Sequence, residues 1–254
     1  VLEQMFAPNV SARKLVILKE YHAAEAIING NVVKSLIVES FRDGGKKKLE
    51  GNYFVDATEL GDLLPLTGTT YVTGSESKGE TGELHAATQA NYNNNQAFTV
   101  CFAMDYIKGE NWVIKKPEDY QFWRDFVPKM TPPWSGKLLD LSYSNPKTLE
   151  KKILGFHPEG ISTGDTLNLW NYRRIIAKDN FAPSFYQSDI SIVNWPQNDY
   201  FLGNIVDVDR KDFDHHFDKG KQLSLSLFYW LQTEVPRPDG RRGWPGLRLR
   251  NDIM

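Results

Sequence analysis

Cysteine is almost missing from this chain, with Cys101 the single one in 254 residues. No intrachain disulfide framework is possible, and the fold must rest on its core. Cys101 lies between Val100 and Phe102 in a strand-like run with no charged neighbour in sequence to activate it, so it reads as a small buried hydrophobe and not as a nucleophile. Long hydrophobic runs are absent too: none approaches the roughly 20 residues that cross a bilayer, and no signal-peptide pattern is visible. An excess of one charge is also lacking. The formal net charge is −2, which leaves no basic footprint for nucleic acid. Internal repeats and low-complexity segments do not occur.

What the chain does have is apolar content, 41% of its residues, enough for one large or two small domains. Its first third carries strong turn signals. Asn29-Gly30 and Asp43-Gly44-Gly45 supply the positive φ angles of tight hairpins, so segments 16–28, 32–41 and 47–58 are predicted to form an antiparallel meander. The last segment contains Tyr53-Phe54-Val55, with the bias of a buried strand, and stops at Asp56-Ala57-Thr58 before Gly61-Asp62 opens a turn. Ligands of open α/β sheets sit beyond such strand ends. An ordinary hairpin in a β-rich domain is the competing reading.

The run Asp56-Ala-Thr-Glu-Leu-Gly-Asp-Leu-Leu64 after a meander resembles the internal segment of FAD-dependent oxidoreductases of the glutathione-reductase-like superfamily, whose Ala-Thr-Gly motif abuts the flavin. Four later blocks, 96–106, 194–200, 229–234 and 246–252, resemble blocks of a bacterial FAD-dependent oxidoreductase family. The resemblance implies FAD as cofactor, contacted by Asp56, Ala57, Thr58, Gly61 and Asp62, and a small-molecule substrate oxidised by hydride transfer. Two departures stand out. No Gly-x-Gly-x-x-Gly occurs, the motif whose amides and helix N-terminus hold a pyrophosphate, and Glu59 stands where the superfamily commonly has glycine. The chain is therefore expected to be the middle of a longer polypeptide, with the remainder of that polypeptide as partner, and to be inactive alone. The implied fold class is α/β, or α+β for these residues taken alone. The expected domains are part of an FAD-binding domain at 1–68, a substrate or cap domain at 69–235, and a connector at 236–254.

Beyond the meander, 67–95 reads as a polar loop and 97–104 as a strand. Residues 117–126 read as a helix opened by proline, with Tyr120, Trp123 and Phe126 in the core; 166–177 and 190–193 read as strands. Leu223, Leu227, Trp230 and Leu231 share one face of a helix that runs to Glu234, although Leu223-Ser-Leu-Ser-Leu227 also alternates as a strand would. If the resemblance holds, His85 is a candidate for the proton transfer that accompanies hydride transfer, or else a surface histidine. Gln96, Trp195 and Asn198 are candidates for a pocket that takes a polar, hydroxylated substrate. Arg173 and Arg174 suit a carboxylate, with ordinary ion pairing as the alternative.

Two other constellations invite different chemistry. Asp207 to His216 crowds four Asp and two His, but Lys211 and Asp212 break the EF-hand pattern, and adjacent His215 and His216 point about 100° apart on a helix. No metal site is assigned, and a solvated helix N-terminus is the simpler reading. Gly74 to Thr81 imitates a phosphate loop with Glu80 in place of lysine, which reads as a polar surface loop. Seven Trp and eleven Tyr, with many Asn and Asp, keep a carbohydrate-binding module open as a competitor, and the Asp207–His216 cluster keeps a metal-dependent hydrolase open.

Overall fold

A computed structural model describes residues 1–130, 133–145, 147–161 and 164–253. The chain forms two compact units, Val1–Thr73 and Gly74–Met254, each an assembly of helices and antiparallel strands. The class is α+β.

The first unit opens with a helix that the sequence reading missed, α1 (Leu2–Ser11), which buries no residue and contains Pro8. The meander follows as foreseen: β1 (Tyr21–Asn29), β2 (Val32–Ser40) and β3 (Lys46–Glu50) pair in that order, all antiparallel. Gly30, at φ +57°, makes the first turn. Only β2, the central strand, is substantially buried, with Ser35, Leu36, Val38 and Ser40 below the surface. The third segment ends earlier than predicted. β3 stops at Glu50, and Tyr53 and Val55 are 92% and 85% exposed in irregular backbone. Gly51 explains the break, since it has no side chain to pack and loses more entropy than any other residue when held in a strand. A short helix, α2 (Leu63–Thr67), closes the unit at Gly68, in the left-handed conformation.

The second unit contains α3 (Lys78–Thr81), β4 (Phe98–Thr99), β5 (Phe102–Tyr106), α4 (Tyr120–Asp125), β6 (Ser142–Ser144), β7 (Lys151–Ile153), α5 (Leu169–Tyr172), β8 (Arg174–Ile176), β9 (Ile190–Val193), β10 (Asp199–Tyr200), α6 (Arg210–Thr233) and β11 (Leu247–Leu249). Its main sheet runs β11-β5-β9-β8. One continuous core includes Met104, Trp123, Trp170, Trp195, Leu227, Phe228, Leu231, Trp244 and Leu247. The long helix α6 supplies Leu223, Leu227, Trp230 and Leu231, all buried, so the helical reading of that segment was right. Its N-terminus is the solvated cap expected from the aspartates: the Asp209 side chain accepts from Asp212 N.

Three local expectations need revision. Strand 97–104 is broken into β4 and β5 at Val100-Cys101, and Cys101 is half-buried, its Sγ directed at Thr99 O at 3.8 Å. Segment 166–177 holds the short helix α5 before β8, because the Asn168 side chain caps Trp170 N and starts a helical turn that alternation alone hides. The polar loop is folded by the Ser77–Glu80 capping box: Glu80 accepts from Ser77 N at 2.7 Å and Ser77 Oγ at 2.8 Å.

Two polar devices hold the C-terminal stretch 236–253 in the second unit. Buried Gln232 donates to Trp112 O at 2.7 Å and Leu247 O at 2.8 Å, and accepts from Ile114 N at 3.0 Å. Asp105, 2% exposed, lies opposite Arg248 in register and accepts its Nε at 3.0 Å and Nη2 at 2.6 Å, with Arg250 Nη1 at 3.2 Å.

Candidate functional site

The five residues proposed to touch the flavin form one loop of the first unit. Asp56 is turned inward, accepting from Thr58 N at 2.9 Å, Thr58 Oγ1 at 2.7 Å and Leu63 N at 2.9 Å. The Thr58 hydroxyl in turn accepts from Asp62 N at 2.8 Å. These bonds, led by the Thr58 amide, hold the Asp56 carboxyl below its ordinary value. Asp62 precedes α2 without a side-chain cap, and Gly61 takes φ +69° to make the turn. The outcome is a small, internally braced loop. Its acidic group satisfies its own backbone, and the exposed Ala57 methyl is the only side chain on its tip between Asp56 and Thr58.

The remaining candidates all lie in the second unit, and the structure does not gather them. His85 is exposed in the turn that follows α3. Gln96 is exposed and lines a cavity of about 520 Å³ with Phe201, Leu202 and Asn204. Asn198 is fully buried, its Oδ1 accepting from Trp195 N at 2.9 Å and its Nδ2 donating to Ser224 Oγ at 3.2 Å. Trp195 is 1% exposed and meets Phe156 edge-on. Both are core residues here; the apolar and amide character that suggested a pocket wall serves packing and the satisfaction of buried backbone. Arg174 is paired with Asp189 at 2.8 Å, whereas Arg173 lies over the Tyr172 ring.

Sequence reasoning missed a cavity of about 460 Å³ lined from the 106–110, 157–159 and 237–246 segments. Gly243, at φ +70°, brings Trp244 under it; a Cβ there would run into the Gln232 carbonyl. The Arg237 guanidinium lies 3.9 Å from the Trp244 ring centroid and donates to Asp239 at 2.7 Å, while Arg241 donates to the same carboxylate at 2.6 Å. These bonds, Arg241 first, hold Asp239 down at about 2. His157 meets Trp244 edge-on at 4.8 Å, and its Nδ1 accepts from Glu159 N at 3.3 Å. Burial pushes its pKa down, so the ring is neutral at pH 7 with its proton on Nε2. Burial, with Glu159 nearby, pushes the Tyr106 phenol up. The signal available in the sequence was the density of charge and turn residues in Arg237-Pro-Asp-Gly-Arg-Arg-Gly-Trp244 beside a tryptophan.

Among the described residues, no three His, Cys, Asp or Glu side chains gather as metal ligands. At the Asp207–His216 cluster, Asp214 pairs with Arg210 and His216 Nδ1 meets Tyr200 OH at 3.0 Å. No helix among the described residues is long and apolar enough to cross a membrane.

The sequence model of the family described as FAD dependent oxidoreductase matches residues 1–253. The chain belongs to this family. It is thus an oxidoreductase by family, with FAD as the implied cofactor. No curated protein and no solved structure matches it. For an FAD dependent oxidoreductase, the 56–62 loop is compatible with a flat ring close by: its carboxylate is folded away, its tip is a methyl group, and its conformation is fixed by its own hydrogen bonds.

Proposed function

We propose that this FAD dependent oxidoreductase oxidises a small polar organic substrate by hydride transfer, within a flavoprotein of the glutathione-reductase-like type. The observation that carries the reading is the braced Asp56–Asp62 loop, in which inward-turned Asp56 leaves Ala57 and Thr58 as the residues that would lie against the isoalloxazine. When bound, FAD supplies the redox chemistry by accepting a hydride at its N5. Residues 1–68 are assigned to FAD binding and 69–235 to the substrate or cap part, while 236–254, expected as a connector, pairs through β11 with the sheet of the second unit.

Within the second unit, His85 is assigned the proton that leaves the substrate hydroxyl or amine, since its imidazole is exposed and can both take and give a proton. Gln96 orients the substrate from the wall of its cavity. Arg173 is better placed than Arg174 to take a substrate carboxylate, because Arg174 is already held by Asp189. The 254 residues contain no Gly-x-Gly-x-x-Gly phosphate loop, so alone they hold FAD weakly and turn over little.

The test is a titration of the purified chain with FAD, read by quenching of flavin fluorescence and by the visible flavin bands. Ala57→Leu should weaken binding at least about tenfold while leaving the unfolding temperature unchanged, because the methyl is exposed and its replacement stands between loop and ring. Equal affinity of the variant and the parent would remove the loop from the cofactor site.

A further inference from the structure

We propose that the cavity between the 106–110, 157–159 and 237–246 segments binds a neutral polyhydroxylated ligand, a saccharide of one or two rings. The proposal does not rest on the flavin reading, because the cavity lies wholly within the second unit.

Size is the first argument. About 460 Å³ falls within the roughly 300–1,000 Å³ of small-molecule sites. Charge is the second. Lys108, Arg237 and Arg241 are balanced by Glu110, Glu159 and Asp239, and the charges are engaged: Lys108 with Glu159 at 2.8 Å, both arginines with Asp239, and Glu110 accepting from Trp112 Nε1 at 2.6 Å. A ligand of either net charge would have to break a closed pair or face as much repulsion as attraction.

The third argument is what remains open. The Tyr106 hydroxyl and the His157 Nε2–H have no protein partner among the described residues, and both groups are neutral at pH 7. The paired carboxylates keep further lone pairs to accept from hydroxyl groups, and Arg241, with a side chain 72% exposed, can donate. Hydroxyls both donate and accept, so a polyol satisfies this mixed wall where a purely donating or purely accepting ligand leaves half of it unmatched. The walls themselves are amphipathic: the Tyr106 ring, edge-on to Trp244, and the Arg237 guanidinium, which lies over the Trp244 ring, present flat surfaces to the C–H faces of a sugar ring.

The experiment uses the 254-residue chain without FAD. Glucose, cellobiose and lactose are tested at millimolar concentration by saturation-transfer NMR and calorimetry, with glucuronate and inorganic phosphate as charged counterparts. At least one neutral sugar should bind, and more tightly than either anion. Tyr106→Phe, which keeps the ring on Trp244, and His157→Gln should each weaken it about fivefold to tenfold, as loss of one hydrogen bond does. If His157→Gln does not fold, Tyr106→Phe alone decides. Failure of all three sugars to bind, tighter binding of phosphate or glucuronate, or an unchanged affinity in Tyr106→Phe would each overturn the assignment.

Discussion

Replacing Asp105 with asparagine keeps the volume of the side chain and removes its charge, which isolates the electrostatic role of this buried carboxylate. Three guanidinium hydrogen bonds converge on it, from Arg248 Nε and Nη2 and from Arg250 Nη1. Removing one partner of a buried ion pair typically costs about 3–5 kcal/mol, because the other is left uncompensated. Here the side chains of Arg248 and Arg250 are 28% and 18% exposed, so water relieves part of the loss and the low end applies, about 3 kcal/mol. For domains of 150–250 residues that corresponds to a fall in Tm of about 6–12 °C. Urea and thermal unfolding followed by tryptophan fluorescence measure it, with Asp252→Asn as comparison. Asp252 also pairs with Arg250, at 2.6 Å, but is 62% exposed, and a surface pair of this kind contributes little to stability. The reasoning fails if Asp105→Asn costs less than about 1 kcal/mol or no more than Asp252→Asn.

Asn168→Ala should destabilise by about 2–4 kcal/mol in urea unfolding, since the buried amide accepts from His157 N and Trp170 N and donates to His157 O and Ile161 O. Gly243→Ala should cost about 1–3 kcal/mol by the same assay, from the positive φ and the approach to the Gln232 carbonyl. The bonds Asp56 accepts lower its folded pKa beneath 3.8, so their contribution is fully present above the unfolded pKa and is lost as pH falls through the folded one. Carboxyl-carbon NMR should find the Asp56 midpoint below that of an ordinary aspartate, and Thr58→Ala should move it up; an unshifted midpoint would contradict the loop geometry.

Much of the fold was legible wherever local chemistry decides structure. Asn29-Gly30 and Asp43-Gly44-Gly45 fix the meander, and the spacing of Leu223, Leu227, Trp230 and Leu231 fixes α6. The exposed course of Tyr53 to Val55 was hidden, because strand propensity is overridden when a glycine such as Gly51 lets the chain leave its neighbour. Trp195 and Asn198 looked like pocket residues because the same side chains serve walls and cores, and only burial separates the two. The cavity around His157 and Trp244 was hidden for another reason: its three segments lie far apart in the chain, and the charged turn at Arg237 to Trp244, the one local signal, does not announce the other two. The same holds for Asp105 and Arg248, separated by 143 residues.

That separation has a consequence for how the second unit comes into being. β5 sits between β9 and β11 in its sheet, so one of its edges stays unpaired until the chain reaches Leu249. During synthesis the unit cannot complete its native sheet, and an open edge of mostly apolar residues waits for its last strand. Of the three bonds of Gln232, the one to Leu247 O can close only then. A ribosome-bound chain halted before Leu247 should therefore be open to strand addition by other chains, and one carried past Leu249 should not.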